Sequence, residues 1–216
     1  VTAVSDAEII LAFAPKLAKH APKLKWYCAS SAGVDRFMDP SLYASEDVIL
    51  TNSSGAYGLT ISEHVVMMVL EVLRRQTDYN ELVHLHEWKR GLPMRSIYGS
   101  RFTLIGTGNI GQETCRRLRV FQPKRITGVN RSGTNPDQLF DSVITADQLD
   151  QILSETDVLI LALPKTEATF HLLDATKLAG LPDQAVVVNV GRGSCIDQAA
   201  LVKELRAKRL WAALDV

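Results

Sequence analysis

The 216-residue sequence has little that would direct it to a polyanion, a membrane or an oxidising compartment. Lys plus Arg and Asp plus Glu each number 24, so the formal net charge is zero. That balance argues against a general binder of nucleic acid or anionic membrane. Long apolar runs are absent: Val65 to Leu70 and Val158 to Leu163 fall far short of the ~20 residues of a spanning helix. No signal peptide is visible. Cysteine is scarce, and Cys28, Cys115 and Cys195 are odd in number, far apart and in no metal-ligand spacing. This excludes a disulfide framework, offers no metal site and fits a reducing cytoplasm. Repeats and low-complexity segments are also lacking. The chain starts at Val1 rather than Met and stops inside an apolar, strand-like run, so both ends read as cuts in a longer protein. The 46% of hydrophobic residues is ample for a core, in one large domain or two small ones.

The most informative stretch runs from Arg101 to Ser132. A largely apolar run, Phe102 to Ile105, leads into Gly106-Thr107-Gly108-Asn109-Ile110-Gly111, then a helical segment, then a second apolar run from Ile126 to Val129. A lone G-x-G-x-x-G is weak evidence, but here it lies between strand and helix inside one βαβ length. Gly106 permits the tight turn, Gly108 lets a pyrophosphate approach the backbone, and Gly111 lets helix and strand pack closely. Free N–H groups at the helix start face the phosphate charge. These residues are the expected dinucleotide cradle.

Elsewhere, Ala7 to Phe13 reads as a buried parallel strand, Leu24 to Ala29 as a second strand leading into Ser30-Ser31-Ala32-Gly33, and Val48 to Thr51 as a third. Small residues there leave N–H groups accessible to an anion such as a carboxylate. A long helix is expected over about Thr60 to Arg75, apolar at Ile61, Val65, Met68 and Val72 and widened by Val66, Val69 and Leu73. So wide a face suggests burial against more than one partner, a second domain or subunit, with Glu71 and Arg75 pairing on the exposed side. His64 on this helix reads as solvated or capped rather than catalytic. Tyr79 to Tyr98 reads as an exposed arm, and His84 and His86, two apart, do not share a helix face for a metal. Asn109 to Phe121 should be helical, with Ile110, Thr114, Leu118 and Phe121 inward and Arg116, Arg117 and Arg119 on a solvated face. Helices at Asp147 to Glu155, Leu173 to Leu181 and Asp197 to Lys208 alternate with strands at Asp157 to Leu163, Ala185 to Val190 and from Trp211. From residue 101 the order is that of a doubly wound dinucleotide fold.

Two positions carry further chemistry. About 20 residues beyond the glycines an acidic side chain would normally hold the adenosine ribose. Asn130 stands there instead, followed by Arg131 and Ser132, which can pair with and donate to a 2′-phosphate. NADP(H) is therefore favoured over NAD(H); the alternative is that Arg131 stacks on adenine or faces solvent. Arg192 stands between Gly191 and Gly193 at a strand end, where a guanidinium can grip a carboxylate and polarise a neighbouring carbonyl.

The chain resembles the D-isomer-specific 2-hydroxyacid dehydrogenases. The resemblance rests on Ser31-Ala32-Gly33-Val34-Asp35, Ser62-Glu63-His64, Gly106 to Gly111, Leu163-Pro164-Lys165-Thr166 and Thr169 to Leu173. It continues through Val188-Asn189-Val190-Gly191-Arg192-Gly193, with Ile196-Asp197, and ends in Ala213-Leu214-Asp215-Val216. It implies an α/β fold: a doubly wound parallel-sheet (Rossmann) cofactor domain over 59–216, long helix included, and a partial flavodoxin-like substrate domain over 1–58. It further implies hydride transfer between NAD(P)H and a 2-keto or D-2-hydroxy acid. Arg192 would bind the substrate carboxylate and carbonyl, and Ser31, Ala32 and Gly33 the carboxylate. Leu163, Pro164, Val190 and Gly191 would line the cofactor, Asp215 would hold the nicotinamide carboxamide, and His171 would be structural. A cytoplasmic homodimer, with no metal, nucleic acid or membrane partner, is the implied setting. In the family a glutamate and then an acid/base histidine follow the segment matching Asp215-Val216, and this sequence contains neither position. A nucleotide-sensing, corepressor-like binding protein and an inactive, truncated dinucleotide-binding chain are the alternatives.

Overall fold

The computed structural model describes residues 4–136 and 138–216, so residues 1–3 of the 1–58 segment lie outside the described residues. The backbone divides into two compact units, Val1–Tyr57 and Gly58–Val216.

In the first unit three short apolar runs form strands β1 (Ile9–Ala12), β2 (Trp26–Ala29) and β3 (Ile49–Thr51). They pair in parallel in the order β1-β2-β3. Side chains alternate across a strand, so Ile10, Tyr27 and Ala29 enter the core with Leu24, Phe37 and Leu42. Tyr27 anchors this core, its ring 5.2 Å from that of Phe37 and its hydroxyl donating to the Ala14 carbonyl at 2.9 Å. The alternate row, Ile9, Trp26 and Ile49 in direct register, is exposed. The connections are 3-10 turns at Pro15–His20, Asp35–Phe37 and Pro40–Leu42.

The second unit opens with helix α1 (Gly58–Leu73), then α2 (Gln76–His84). Strand β4 (Arg101–Ile105), helix α3 (Asn109–Arg119) and strand β5 (Arg125–Val129) form the βαβ unit. Then come β6 (Ser142–Ile144), β7 (Val158–Leu161), α4 (Ala175–Gly180), β8 (Val186–Asn189), α5 (Gln198–Arg206) and β9 (Trp211–Leu214). The six strands are parallel in the order β6-β5-β4-β7-β8-β9, and the central β7 and β8 are buried at every residue. That burial explains their unbroken apolar sequence, since helices cover both faces of a parallel sheet. On one face Phe102, Leu104, Val158, Ile160, Val186 and Val188 pack with α1 and α3; on the other Ile105, Leu159, Leu161 and Val187 meet Leu149, Leu178 and Leu201. The doubly wound α/β fold expected from the sequence is the one observed. No helix among the described residues is long and apolar enough to cross a membrane.

Several local expectations are corrected. Part of the wide apolar face of α1 is buried within this unit: Val65, Met68, Val69 and Leu73 join the core over α3 and the sheet, while Ile61, Val66 and Val72 are only partly buried. The helix stops at Leu73, and Arg75, in the left-handed region at φ 58°, pairs with Asp78 rather than Glu71. Part of the supposed arm is the helix α2. Phe121 lies past the end of α3 and is 40% exposed, while Cys115 takes a buried place on that helix. Arg119 is not merely solvated: it donates to the Leu139 carbonyl and pairs with Asp141. Asp147 to Glu155 forms two 3-10 turns rather than one helix. Strand β6, three residues at the sheet edge, was not expected at all.

Candidate functional site

In a parallel sheet of this kind every strand delivers its following loop to the same edge. After β4, Gly106 continues the ladder through its N–H to the Val129 carbonyl (2.9 Å), then turns at φ +104°, where a side chain would be strained. A methyl group built at Gly111 would fall on the Gly106 carbonyl oxygen, so α3 packs against the turn as closely as the backbone allows. Gly108 is different: a Cβ there meets nothing within 4 Å. Gly108 caps α3 with no side-chain hydrogen bond, leaving first-turn N–H groups for an external acceptor. Two glycines that seat the helix and one that faces open space fit a pyrophosphate cradle. Gly111→Ala should therefore cost about 1–3 kcal/mol of stability through overpacking. Chemical denaturation checks this, and an unchanged midpoint would contradict the seating role.

At the end of β5 the Asn130 side chain is fully engaged. Its Nδ2 donates to Thr107 Oγ1 (2.8 Å) and the Thr134 carbonyl (3.0 Å). Its Oδ1 accepts from the Ser132 and Gly133 N–H groups at 3.1 and 2.7 Å. Asn130 thus ties a tight polar turn to the glycine loop. Ser132 Oγ is 2.7 Å from Thr134 Oγ1 within that turn. Arg131, presented by it, is exposed and has no ion pair or side-chain hydrogen bond among the described residues. A cavity of about 140 Å³ beside the turn is lined by Thr107, Gln112, Asn130, Thr134 and Leu139, among others.

The loops after β7, β8 and β9 complete the edge. A Cβ at Gly191 would lie 2.5 Å from the Leu163 carbonyl oxygen and 2.6 Å from its nitrogen, so the Val190-Gly191 and Leu163-Pro164 backbones are pressed together. Buried Asn189 accepts from Gly191 N–H (3.0 Å) and donates to the Arg192 carbonyl (2.9 Å). Removing that amide would strand two backbone groups at about 1–3 kcal/mol each. Arg192, half-buried, folds one Nη1 onto the Gly191 carbonyl at 2.8 Å. Asp215, after β9, bonds through its N–H to the Asn189 carbonyl (3.0 Å), and its carboxylate lies 3.4 Å from His64 Nε2 on α1. His171, at φ 47°, stacks on Phe170 and donates its N–H to the Ser194 carbonyl.

In the first unit, the loop after β2 has its carbonyls occupied. Asn52 Nδ2 donates to Ala32 O (2.7 Å), Ser53 N–H to Ser31 O (3.1 Å), Ser31 Oγ to Gly33 O (2.8 Å) and the Tyr57 hydroxyl to Ser30 O. The N–H groups of Ala32 and Gly33 have no acceptor among the described residues. Donors left over while acceptors are filled are the arrangement found in backbone nests for anions.

Two of the three thiols, Cys115 and Cys195, are buried. Burial pushes Cys115 up to about 11 and raises Cys195. Among the described residues no three His, Cys, Asp or Glu side chains converge as metal ligands.

Residues 66–216 match the family model described as D-isomer specific 2-hydroxyacid dehydrogenase, NAD binding domain. The chain belongs to the D-isomer specific 2-hydroxyacid dehydrogenase family. Glyoxylate/hydroxypyruvate reductase B of Erwinia tasmaniensis is 29% identical over 204 residues, covering 92% of this chain and 63% of that protein. Dehydrogenase efuE of Hormonema carpetanum is 26% identical over 197 residues, 90% of this chain and 49% of that protein. A crystal structure of a D-isomer specific 2-hydroxyacid dehydrogenase family protein from Aeromonas salmonicida subsp. salmonicida aligns with a TM-score of 0.89 at 32% identity, over 99% of this chain and 69% of that one. The chain thus spans about half to two thirds of the length of the relatives it matches.

The structure brings Gly106 to Gly111, Asn130 to Ser132, Leu163-Pro164, Val190 to Arg192 and Asp215 to one edge of the dehydrogenase-family sheet. Ser31, Ala32 and Gly33 belong to the first unit. In the sequence Asn189 is only one letter of a motif, and Asn52 only the residue that follows the third strand. Their signal was an amide directly after an apolar strand run, beside a small-residue turn.

Proposed function

We propose that this chain belongs to an oxidoreductase that reduces 2-keto acids to D-2-hydroxy acids, or runs the reverse, with NADP(H) preferred over NAD(H). The observation that carries this reading is the convergence of the open glycine cradle, the Asn189-clamped Arg192 and Asp215 on one sheet edge. Residues 59–216, long helix included, would form the dinucleotide-binding domain and residues 1–58 part of the substrate domain.

When bound, the nicotinamide ring supplies or accepts the hydride. The chain's own part is binding and polarisation. The first-turn N–H groups at Asn109 to Gly111 would receive the pyrophosphate. Arg131, on the turn that Asn130 builds, would pair with the 2′-phosphate, with Ser132 beside it. Leu163, Pro164, Val190 and Gly191 would line the cofactor, and Asp215 would accept from the carboxamide. Arg192 would grip the substrate carboxylate and polarise the 2-keto oxygen, stabilising the negative charge that develops there. The free N–H groups of Ala32 and Gly33, with Ser31, suit the same carboxylate chemistry. The family's acid/base role has no matching histidine in this sequence, and none of its five histidines is assigned it. A homodimer through the cofactor domain is part of the reading, supported by exposed Met67 on α1 and Val83 on α2. A reducing cytoplasm suits the three free cysteines.

The test is consumption of NADPH by the intact natural protein with glyoxylate, hydroxypyruvate and bulkier 2-keto acids. Turnover with at least one, faster than with NADH, is expected. NADPH bound tightly but left unoxidised by all of them would favour the nucleotide-sensing reading instead.

A further inference from the structure

His64 belongs to none of the roles assigned above, yet it touches one of the residues that has one. It stands on the first half of α1, one residue before fully buried Val65 and two after fully buried Ser62, so the helix fixes where its ring emerges. Its Nε2 lies 3.4 Å from Asp215 Oδ1. The Asp215 backbone is itself fixed, donating to the Asn189 carbonyl one strand away. The two side chains remain 41% and 53% exposed, and polar contacts so exposed add little to folding stability. Among the described residues no other side chain engages the Asp215 carboxylate, which leaves its second oxygen open. A half-exposed aspartate samples several rotamers; a neighbouring imidazole on one oxygen selects among them.

We propose that His64 is a positioning residue that holds the Asp215 carboxylate ready to accept from the nicotinamide carboxamide, making α1 a part of the cofactor site. This rests on the reading of Asp215 given above. It predicts a selective effect: His64 should matter to the nicotinamide half of the cofactor and not to the half carrying the 2′-phosphate.

The experiment measures dissociation constants of NADPH and of 2′-phospho-ADP-ribose, which lacks the nicotinamide ring, for the intact natural protein and its variants. His64→Ala should weaken NADPH roughly two- to fivefold, the scale of a partly exposed polar contact, and leave 2′-phospho-ADP-ribose unchanged. His64→Gln, which keeps a donor at similar reach, should restore most of the loss. Asp215→Asn should show the same selectivity, and adding His64→Ala to it should cost nothing more, because the two residues act as one unit. If Asp215→Asn weakens both ligands equally or neither, the reading of Asp215 fails and the inference falls with it. If Asp215→Asn is selective but His64→Ala leaves NADPH binding unchanged, or weakens both ligands alike, the inference alone is overturned. Should His64→Ala not fold, His64→Leu offers the same comparison.

Discussion

Arg192→Ala should lower kcat/KM for 2-keto acids by about 10²–10³ in the intact protein, the loss typical of removing a pre-aimed donor to a developing oxyanion. The structure makes this more than a charge deletion. The Arg192 backbone is held by the buried Asn189 amide on both sides of the Gly191-Arg192 peptide, so the guanidinium starts from a fixed point. Pressing Gly191 against Leu163 fixes the neighbouring strand end as well. Arg192→Lys should recover only part of the loss, because an ammonium lacks the planar fork that serves carboxylate and carbonyl together. NADPH affinity should be nearly untouched in both variants. Steady-state kinetics with parallel NADPH titration checks this; activity of Arg192→Ala within about tenfold of wild type would remove Arg192 from the catalytic machinery.

Arg131→Ala should reduce the preference for NADPH over NADH by roughly tenfold to a hundredfold, the value of a charge-assisted contact to phosphate. Arg131 has no competing protein partner among the described residues, so its charge is not already spent. The five-contact network of Asn130 shapes the turn that presents it. That network changes how selectivity should be probed. Adding Asn130→Asp would introduce the carboxylate that suits NAD(H), but it would also delete the donations to Thr107 and Thr134 and loosen the turn. Arg131→Ala alone is the cleaner substitution, and the double variant should pay its selectivity change with some stability. The measurement is the ratio of kcat/KM for the two cofactors; an unmoved ratio with Arg131→Ala would refute a 2′-phosphate role.

The larger features of the second unit were legible because their physics is local. The runs Val158–Leu161 and Val186–Asn189 are apolar at every position since both faces of the sheet are covered, and the glycine spacing follows from the turn and the close helix. What escaped was governed by contacts between distant residues. Strand β6 is only Ser142–Ile144, half exposed at an edge, and exists because β5 offers it a partner. The end of α1 depends on Arg75 reaching Asp78 and lying over the Trp211 ring, 4.2 Å away, far along the chain. Phe121 fitted the helical period, but α3 ends before it. At the site, residue types announced the ligand classes, whereas the clamps did not show. Asn130 read as a replaced acid rather than a turn builder. Asn189 read as a motif letter, and the meeting of His64 with Asp215 required the fold.

The central claim is that the β4–α3 edge receives a dinucleotide, and Gly108→Ala tests it most directly. At φ −73° alanine is free of strain, and a Cβ there meets no protein atom within 4 Å. Folding stability should hold or rise by about 0.4–1 kcal/mol, as for other compatible glycine replacements. The added methyl group nonetheless occupies the open space into which the pyrophosphate must come. Titration with NADPH beside a thermal melt should show an unchanged or higher Tm together with affinity reduced at least about tenfold, equivalent to roughly 1.4 kcal/mol. A Gly108→Ala protein that melts normally and binds NADPH as tightly as wild type would contradict the account.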